Sequence, residues 1–180
     1  MKPLTRTILT TFILVPLLWG LWLPHAQSQS PLKLANDLQK SAKAAHLNQR
    51  PIVIFYTATW CRYCKRLEQN IIDPLLLNTQ IEDYADFRQV VLDNDKASII
   101  DFDGKTYKMK DYAAVKGVRF VPTTMVYNRE GNAIAEPILG LTLEEFYPGN
   151  LERAINQGLK AINSPKRLDI YQLVNERSEP

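Results

Sequence analysis

The sequence predicts an α/β fold in which helices flank a central mixed β-sheet. Two observations support this. Beyond residue 30, continuous apolar runs typical of buried strands alternate with the three- and four-residue apolar spacing of helices. The predicted order, behind a leading helix, is β-α-β-α-β-β-α. The chain has 180 residues, 46% of them hydrophobic and 23% charged, which is the composition of one globular domain plus a short extra segment.

The N-terminus has the organisation of an export signal. Residues 1–7 carry positive charge, residues 8–23 form a 16-residue run without a charge, and small and polar residues follow. This order predicts a secretory signal peptide over residues 1–28, cleaved after Ser28. A retained membrane anchor is the alternative, although Pro16 breaks the run and 16 residues are short for a hydrocarbon core of ~30 Å. Either way the domain is expected outside the cytoplasm, in the periplasm of a bacterium with two membranes, where disulfides persist.

The first half of the predicted domain contains a helix and two buried strands. Ser30 is a candidate cap, with Pro31 as the first residue of a helix that runs to about Leu47. Residues 51–57 and 87–93 are apolar runs and predict the two strands.

Further elements follow as a hairpin, a helix and two more strands. Residues 98–109 predict a β-hairpin, and a short helix is expected around 109–116. Residues 122–128 and 133–139 predict strands. Pro137 removes a ladder donor, so the second of these strands is expected at the edge of the sheet.

A final helix should close the domain. Thr142 and Glu145 have the spacing of a capping box for a helix that runs to about Asn163. The polar residues 164–180 then predict a loosely held tail. The domain is therefore expected to span residues 29–163.

Charge and cysteine content exclude several classes of protein. Twenty-two Lys and Arg against 19 Asp and Glu leave +3, and two of the positive charges, Lys2 and Arg6, lie in the predicted signal. No basic surface of the size that nucleic-acid binding needs is expected. Two cysteines make neither a disulfide-stapled scaffold nor a four-thiolate zinc site.

The two cysteines form a C-x-x-C motif, WCRYC at residues 60–64, between a predicted strand and a predicted helix. A sulfur at a helix N-terminus meets unpaired backbone N–H groups and the positive end of the helix dipole, which stabilise the thiolate of Cys61. Arg62 and Lys65 add positive charge, as does Arg66. Cys64 lies almost one turn further along the buried face, so Cys61 is the predicted attacking thiol and Cys64 the resolving thiol.

Two other interpretations of the pair are a stabilising disulfide and a metal site. A loop this short restrains little unfolded-chain entropy and would stabilise poorly. A metal site needs two further ligands, and His46, the only histidine outside the predicted signal, is expected at the surface. No metal is therefore predicted.

Over roughly residues 50–160 the chain resembles the thioredoxin superfamily. Three segments carry the resemblance: IVIFYTATWCRYCK, KGVRFVPTTMVYNREG at 116–131, and Gly140 in ILGLT. The signal and the segment inserted ahead of Pro122 are similar to periplasmic thioredoxin-like proteins of the SoxW and TlpA types.

The resemblance implies a thioredoxin fold with a β-hairpin insertion before a cis-proline segment. The Val121–Pro122 bond would be cis, and Val121 would offer backbone hydrogen bonds to an extended client segment. Trp60 and Gly140 would line the same groove. A redox-active Cys61–Cys64 disulfide would serve without any cofactor, in a monomer that acts on client proteins with cysteines or disulfides and is reset by a membrane redox partner.

Two departures from the family bear on proton transfer and on the direction of electron flow. Cytosolic thioredoxins hold a buried Asp six residues before the first cysteine, where this chain has Phe55. Glu68 is a candidate replacement, and a solvated carboxylate paired with a neighbouring Lys or Arg is the alternative. Arg62-Tyr63 matches neither the Gly-Pro of reducing thioredoxins nor the Pro-His of strongly oxidising relatives, so the direction stays open.

The function expected from the sequence is thus that of an exported thiol–disulfide oxidoreductase, with reduction favoured over oxidation. A copper-binding or copper-delivery module that uses Cys61 and Cys64 is one alternative. A non-catalytic domain that binds peptides in the Val121–Pro122 groove is another.

Overall fold

The computed structural model describes residues 30–141 and 143–176. The predicted signal peptide, the predicted capping residue Thr142 and the last four residues of the predicted tail lie outside these ranges. Within them, none of the helices combines the length and the apolar character needed to cross a bilayer.

A mixed sheet forms the centre of the fold, as the sequence predicts. Its strands, together with those of a separate hairpin, are β1 (Lys33–Leu34), β2 (Ile52–Thr57), β3 (Asp86–Val91), β4 (Ser98–Ile100), β5 (Thr106–Lys108), β6 (Thr123–Tyr127) and β7 (Ile138–Leu139). The sheet order is β1-β3-β2-β6-β7, with β1, β3 and β2 parallel and β6 and β7 antiparallel to their neighbours. The strand after Pro137 lies at the edge, which confirms that prediction.

Helices cover both faces of the sheet. They are α1 (Leu38–Leu47), α2 (Arg62–Leu67), α3 (Asp73–Leu76), α4 (Met109–Val115), α5 (Tyr147–Ala161) and α6 (Ile170–Glu176). A π-helical stretch, Glu68–Ile72, joins α2 to α3. Pro74 follows this wider turn, and its missing N–H falls at the start of α3, where no intrahelical donor is needed.

The predicted start of the first helix is wrong. Helix α1 begins at Leu38, where the carboxylate of Asp37 accepts a hydrogen bond from the Lys40 amide at 2.8 Å. Residues 33–34 instead extend along β3 as an edge strand. The hydroxyl of Ser30 donates to Asp73 at 2.6 Å and caps nothing in α1.

The predicted loose tail is also wrong for residues 164–176. Leu168 and Ile170 are buried in the core. The Asn156 side chain donates to Leu168 O at 2.9 Å and accepts from Leu168 N at 2.8 Å. These contacts lead into α6, so the domain extends beyond the predicted boundary at residue 163.

The sheet separates two apolar clusters, and β2 contributes to both. Phe55 faces the cluster formed with α2, α3, α5 and α6. Tyr56 faces the cluster formed with α1, α4 and the hairpin. Every residue of β2 is buried, as expected for a central strand covered on both faces.

The β4–β5 hairpin forms where the sequence predicts it and is held to α4 by a buried ion pair. The carboxylate of Asp101 accepts a hydrogen bond from the Tyr112 hydroxyl at 2.5 Å and pairs with Lys116 Nζ at 3.0 Å. The same ammonium lies over the rings of Phe102 and Tyr112, 5.2 and 5.4 Å from their centroids. Helix α4, fixed in this way, leads directly to Val121–Pro122.

Candidate active site

A disulfide joins Cys61 and Cys64 at the carboxyl end of the central strand. Strand β2 ends at Thr57, and α2 begins at Arg62. The cysteines therefore lie just beyond the sheet, between the ends of β3 and β6.

Cys61 caps α2 with its sulfur. Its Sγ accepts a hydrogen bond from the Cys64 amide at 3.1 Å. Cys64 is 1% exposed and Cys61 5%. The amide that contacts Sγ is oriented to stabilise negative charge there once the disulfide is reduced, because a charged acceptor strengthens such a bond.

The Val121–Pro122 segment lies against the disulfide. The Val121–Pro122 peptide bond is cis. Val121 and Leu92 pack on the small cluster formed by Ala58 and the two cysteines.

Gly140 is tied to the same segment. Its amide donates to Pro122 O at 2.8 Å, and its φ of 74° lies in the region that favours glycine. Trp60, immediately before Cys61, is 72% exposed. The structure thus packs Val121 on the cysteine pair, with Pro122 next to Val121 and Gly140 hydrogen-bonded to Pro122, while Trp60 is adjacent to Cys61 in the chain.

Glu68 is half-buried and has polar partners on the sheet. Its amide donates to Cys64 O, one turn back. Burial raises the pKa of Glu68, and the nearby Asp73 carboxylate raises it further, while side-chain hydrogen bonds with Ser30 and Gln89 act in the opposite direction. No ion pair joins Glu68 to a Lys or Arg of the described residues.

Gln89 continues this polar group toward the motif. Its Nε2 donates to the hydroxyl of Thr57 at 3.0 Å, and Thr57 is the last residue of β2. Phe55, the neighbour of Gln89 in sheet register, is 1% exposed and stacks on Phe87. An apolar ring therefore occupies the position six residues before Cys61.

The positively charged residues of α2 differ in their partners. Arg62 and Lys65 are exposed, whereas Arg66 forms an ion pair with Glu144. His46 lies outside the site, hydrogen-bonded to Arg129 in the turn after β6. Among the residues that the structure describes, no group of three or more His, Cys, Asp and Glu is arranged to hold a metal ion.

The sequence analysis missed three neighbours of the disulfide. Leu92 packs on the cysteine cluster, and exposed Phe120 and Tyr63 flank it. Position carried the available signal, since Phe120 precedes Val121 and Tyr63 lies between the cysteines. For Leu92 the sequence offers no signal beyond its position after a predicted buried strand.

Comparisons with known proteins place this geometry in a family. A family model described as a thioredoxin-like domain matches residues 38–146. A search of curated proteins finds no match.

Solved thioredoxin structures are similar to the chain. Mitochondrial thioredoxin 3 from Saccharomyces cerevisiae is 23% identical, with 71% of this chain and 97% of that one covered and a TM-score of 0.44. Thioredoxin from Fasciola hepatica is 19% identical, with 68% and 99% covered and a TM-score of 0.44. Thioredoxin O2 from Arabidopsis thaliana, in the oxidised state, is 18% identical, with 69% and 94% covered and a TM-score of 0.42.

Proposed function

Because the chain belongs to the thioredoxin-like domain family, we propose that it is an exported thiol–disulfide oxidoreductase that reduces disulfides of client proteins. The observation that carries this proposal is the Cys61–Cys64 disulfide, with Cys61 Sγ at the cap of α2 and Val121 packed against the pair. The redox-active disulfide itself supplies the chemistry, with no cofactor.

The proposed cycle begins with the reduced pair. The Cys61 thiolate attacks one sulfur of a client disulfide, the client S–S bond breaks, and the other client sulfur leaves as a thiolate that takes up a proton. Cys64 then loses its proton and attacks Cys61 Sγ. This step releases the second client thiol and restores the Cys61–Cys64 disulfide, so two electrons have passed to the client.

Glu68 is the proposed proton acceptor for Cys64. It lies one turn along the helix from Cys64, and burial raises its pKa above the ordinary carboxyl value, which favours uptake of a proton. In this scheme Arg62 and Lys65 stabilise the Cys61 thiolate.

Client binding is assigned to the groove around the disulfide. Val121 offers backbone hydrogen bonds to an extended client segment, and Trp60 and Gly140 line its sides. The Gly140–Pro122 hydrogen bond supports this role because it fixes the two walls relative to each other.

The cellular setting belongs to the proposal as well. The charge pattern of residues 1–23 supports export to the periplasm, with a cut after Ser28 or retention as an anchor. There a monomer of the SoxW or TlpA type would depend on a membrane redox partner to restore the dithiol. N-terminal sequencing of the exported protein tests the cut, since the proposal expects a chain that begins at Gln29.

The decisive test is the equilibrium reduction potential of the Cys61–Cys64 pair in defined thiol–disulfide buffers. A potential near the thioredoxin value of about −270 mV is expected for a reductase. A potential near about −120 mV would reverse the proposed direction and make the protein a dithiol oxidase. A pair without reversible exchange would end the oxidoreductase proposal.

A further inference from the structure

Six exposed residues lie within two positions along the chain of Cys61, Cys64 or Val121, and they have two kinds of side chain. We call this set of residues the rim. Its aromatic members are Trp60, Tyr63 and Phe120, exposed by 72%, 56% and 64%, and its basic members are Arg62, Lys65 and Arg119. Large aromatic side chains grouped in solvent mark an interaction surface, and aromatic residues together with arginine are enriched in such interfaces.

Two segments supply the rim, and both are fixed to the disulfide. Residues 60–65 contain the cysteines themselves. Residues 119–120 immediately precede Val121, which packs on the cysteine cluster. The Thr123 hydroxyl donates to Phe120 O at 2.9 Å and holds this second segment in place.

The basic side chains of the rim are uncompensated within the described part of the chain. None of Arg62, Lys65 and Arg119 has an ion pair or side-chain hydrogen bond to a described residue, whereas neighbouring Arg66 pairs with Glu144. Asp93, a nearby carboxylate, accepts hydrogen bonds from the amide and hydroxyl of Thr59. Because none of the three rim cations pairs with a carboxylate of the described residues, the rim is positive.

We propose that the rim selects client segments that carry acidic residues and a large apolar or aromatic residue beside the reactive cysteine. This inference rests on the proposed function and specifies its substrate class. The aromatic side chains provide stacking area for the apolar residue, and the unpaired cations attract and orient the acidic ones. A client segment in the groove beside Val121 passes between the two halves of the rim.

Matched peptides test the charge preference. Each peptide contains the same intramolecular disulfide and the same Phe, and the flanking positions are all Glu, all Gln or all Lys. The reduced protein transfers two electrons to each peptide, and the rate constant is read from acid-quenched samples by chromatography. Reduction of the Glu peptide is expected to be about tenfold faster than that of the Lys peptide at low ionic strength, with the ratio approaching one in high salt.

Variants assign the preference to the rim. Arg119→Glu should lower the Glu-to-Lys rate ratio several-fold. The control Lys160→Glu should leave it unchanged, because Lys160 lies in the last turn of α5, and the segment that follows this helix is hydrogen-bonded to Gln49, ahead of β2 and at the opposite end of that strand from Cys61. Phe120→Ser should slow reduction of the Phe peptides more than that of matched Ser peptides. Every rate is divided by the rate with a small uncharged disulfide, which removes changes in the reactivity of Cys61.

The outcomes separate this inference from the function on which it rests. Equal rates for the three peptides, or a preference for Lys, would overturn the selectivity assigned to the rim while leaving the oxidoreductase intact. A ratio that responds equally to Arg119→Glu and Lys160→Glu would overturn it too, because net charge alone would then explain the effect. Failure to reduce any peptide and the small disulfide would instead overturn the proposed function.

Discussion

Replacing Asp101 by Asn should loosen the hairpin from the helix that leads to the site. The side chains of Asp101 and Lys116 are only 9% and 16% exposed, so their charges are largely removed from water. An Asn amide can still accept the Tyr112 hydroxyl hydrogen bond. It cannot neutralise the ammonium of Lys116, which is left as a buried charge without its counter-ion.

The magnitude follows from the bonds that change. A hydrogen bond to a charged group contributes about 1.5–3 kcal/mol, and Asp101→Asn removes one such bond. We therefore expect a loss of about 2–3 kcal/mol in the free energy of unfolding, or a fall in Tm of roughly 5–10 °C for a chain of this size. Lys116→Met should lose about 3 kcal/mol, because it leaves the carboxylate unpaired and removes the cation over two rings.

Urea unfolding of both single variants and the double variant measures these losses in the free energy of unfolding. The double variant buries neither charge, so its loss should be smaller than the sum of the two single losses by more than about 1 kcal/mol. Lys105→Met is the matched control: Lys105 and Asp103 form a pair with side chains 71% and 47% exposed, and the expected change in the free energy of unfolding is much smaller than that of Asp101→Asn. Strictly additive losses, or an Asp101→Asn loss no larger than that of the control, would refute the assignment of a stabilising buried pair.

Three further predictions concern the thiols, the buried acid and the C-terminal segment. Cys64→Ser should accumulate a mixed disulfide between Cys61 and a client, seen as a mass adduct, and its absence would contradict the assigned order of attack. Burial raises the pKa of Glu68, so the folded state holds the proton more tightly and stability falls as pH rises from the ordinary carboxyl range to that raised pKa. Glu68→Gln should therefore unfold at a higher temperature than the wild type at pH 7, by less than about 4 °C, with no gain at acid pH. The same variant should slow client release. Leu168→Ala should destabilise the protein by about 2–4 kcal/mol in urea, because Leu168 is 1% exposed, whereas a loose tail would show almost no change.

The parts of the fold that sequence predicted correctly are those with local signals. The apolar run 52–57 has no polar face that could lie against solvent, so it directly predicts a central strand. Ser30-Pro31 and Asp37 both have the chemistry of a helix start, and sequence does not distinguish them. The start of the helix is decided by the pairing of β1 with the edge of β3, which is a contact between segments distant in the chain. Leu168 and Ile170 are isolated among polar residues, and their burial likewise depends on α5.

The site residues also divide into those that a local signal predicts and those whose surroundings depend on distant segments. The pairing of Cys61 with Cys64 at the start of α2 follows from one motif. The environment of Glu68 does not, because Ser30, Gln89 and Thr57 come from three separate segments that only the folded sheet brings together. Helical spacing alone is consistent with a solvated, ion-paired Glu68, whereas the structure shows a half-buried acid.

The position of Trp60 makes the protein its own optical reporter. The other tryptophans are Trp19 and Trp22, so a chain cleaved after Ser28 would contain a single indole, adjacent to Cys61. A neighbouring disulfide quenches indole emission, and tyrosines such as the buried Tyr56, Tyr112 and Tyr127 absorb at shorter wavelengths than indole. Excitation at the red edge of the absorption band would then report the oxidation state of one bond, without any dye or label. Each turnover would be visible as a change in brightness of a residue that we propose to contact the client.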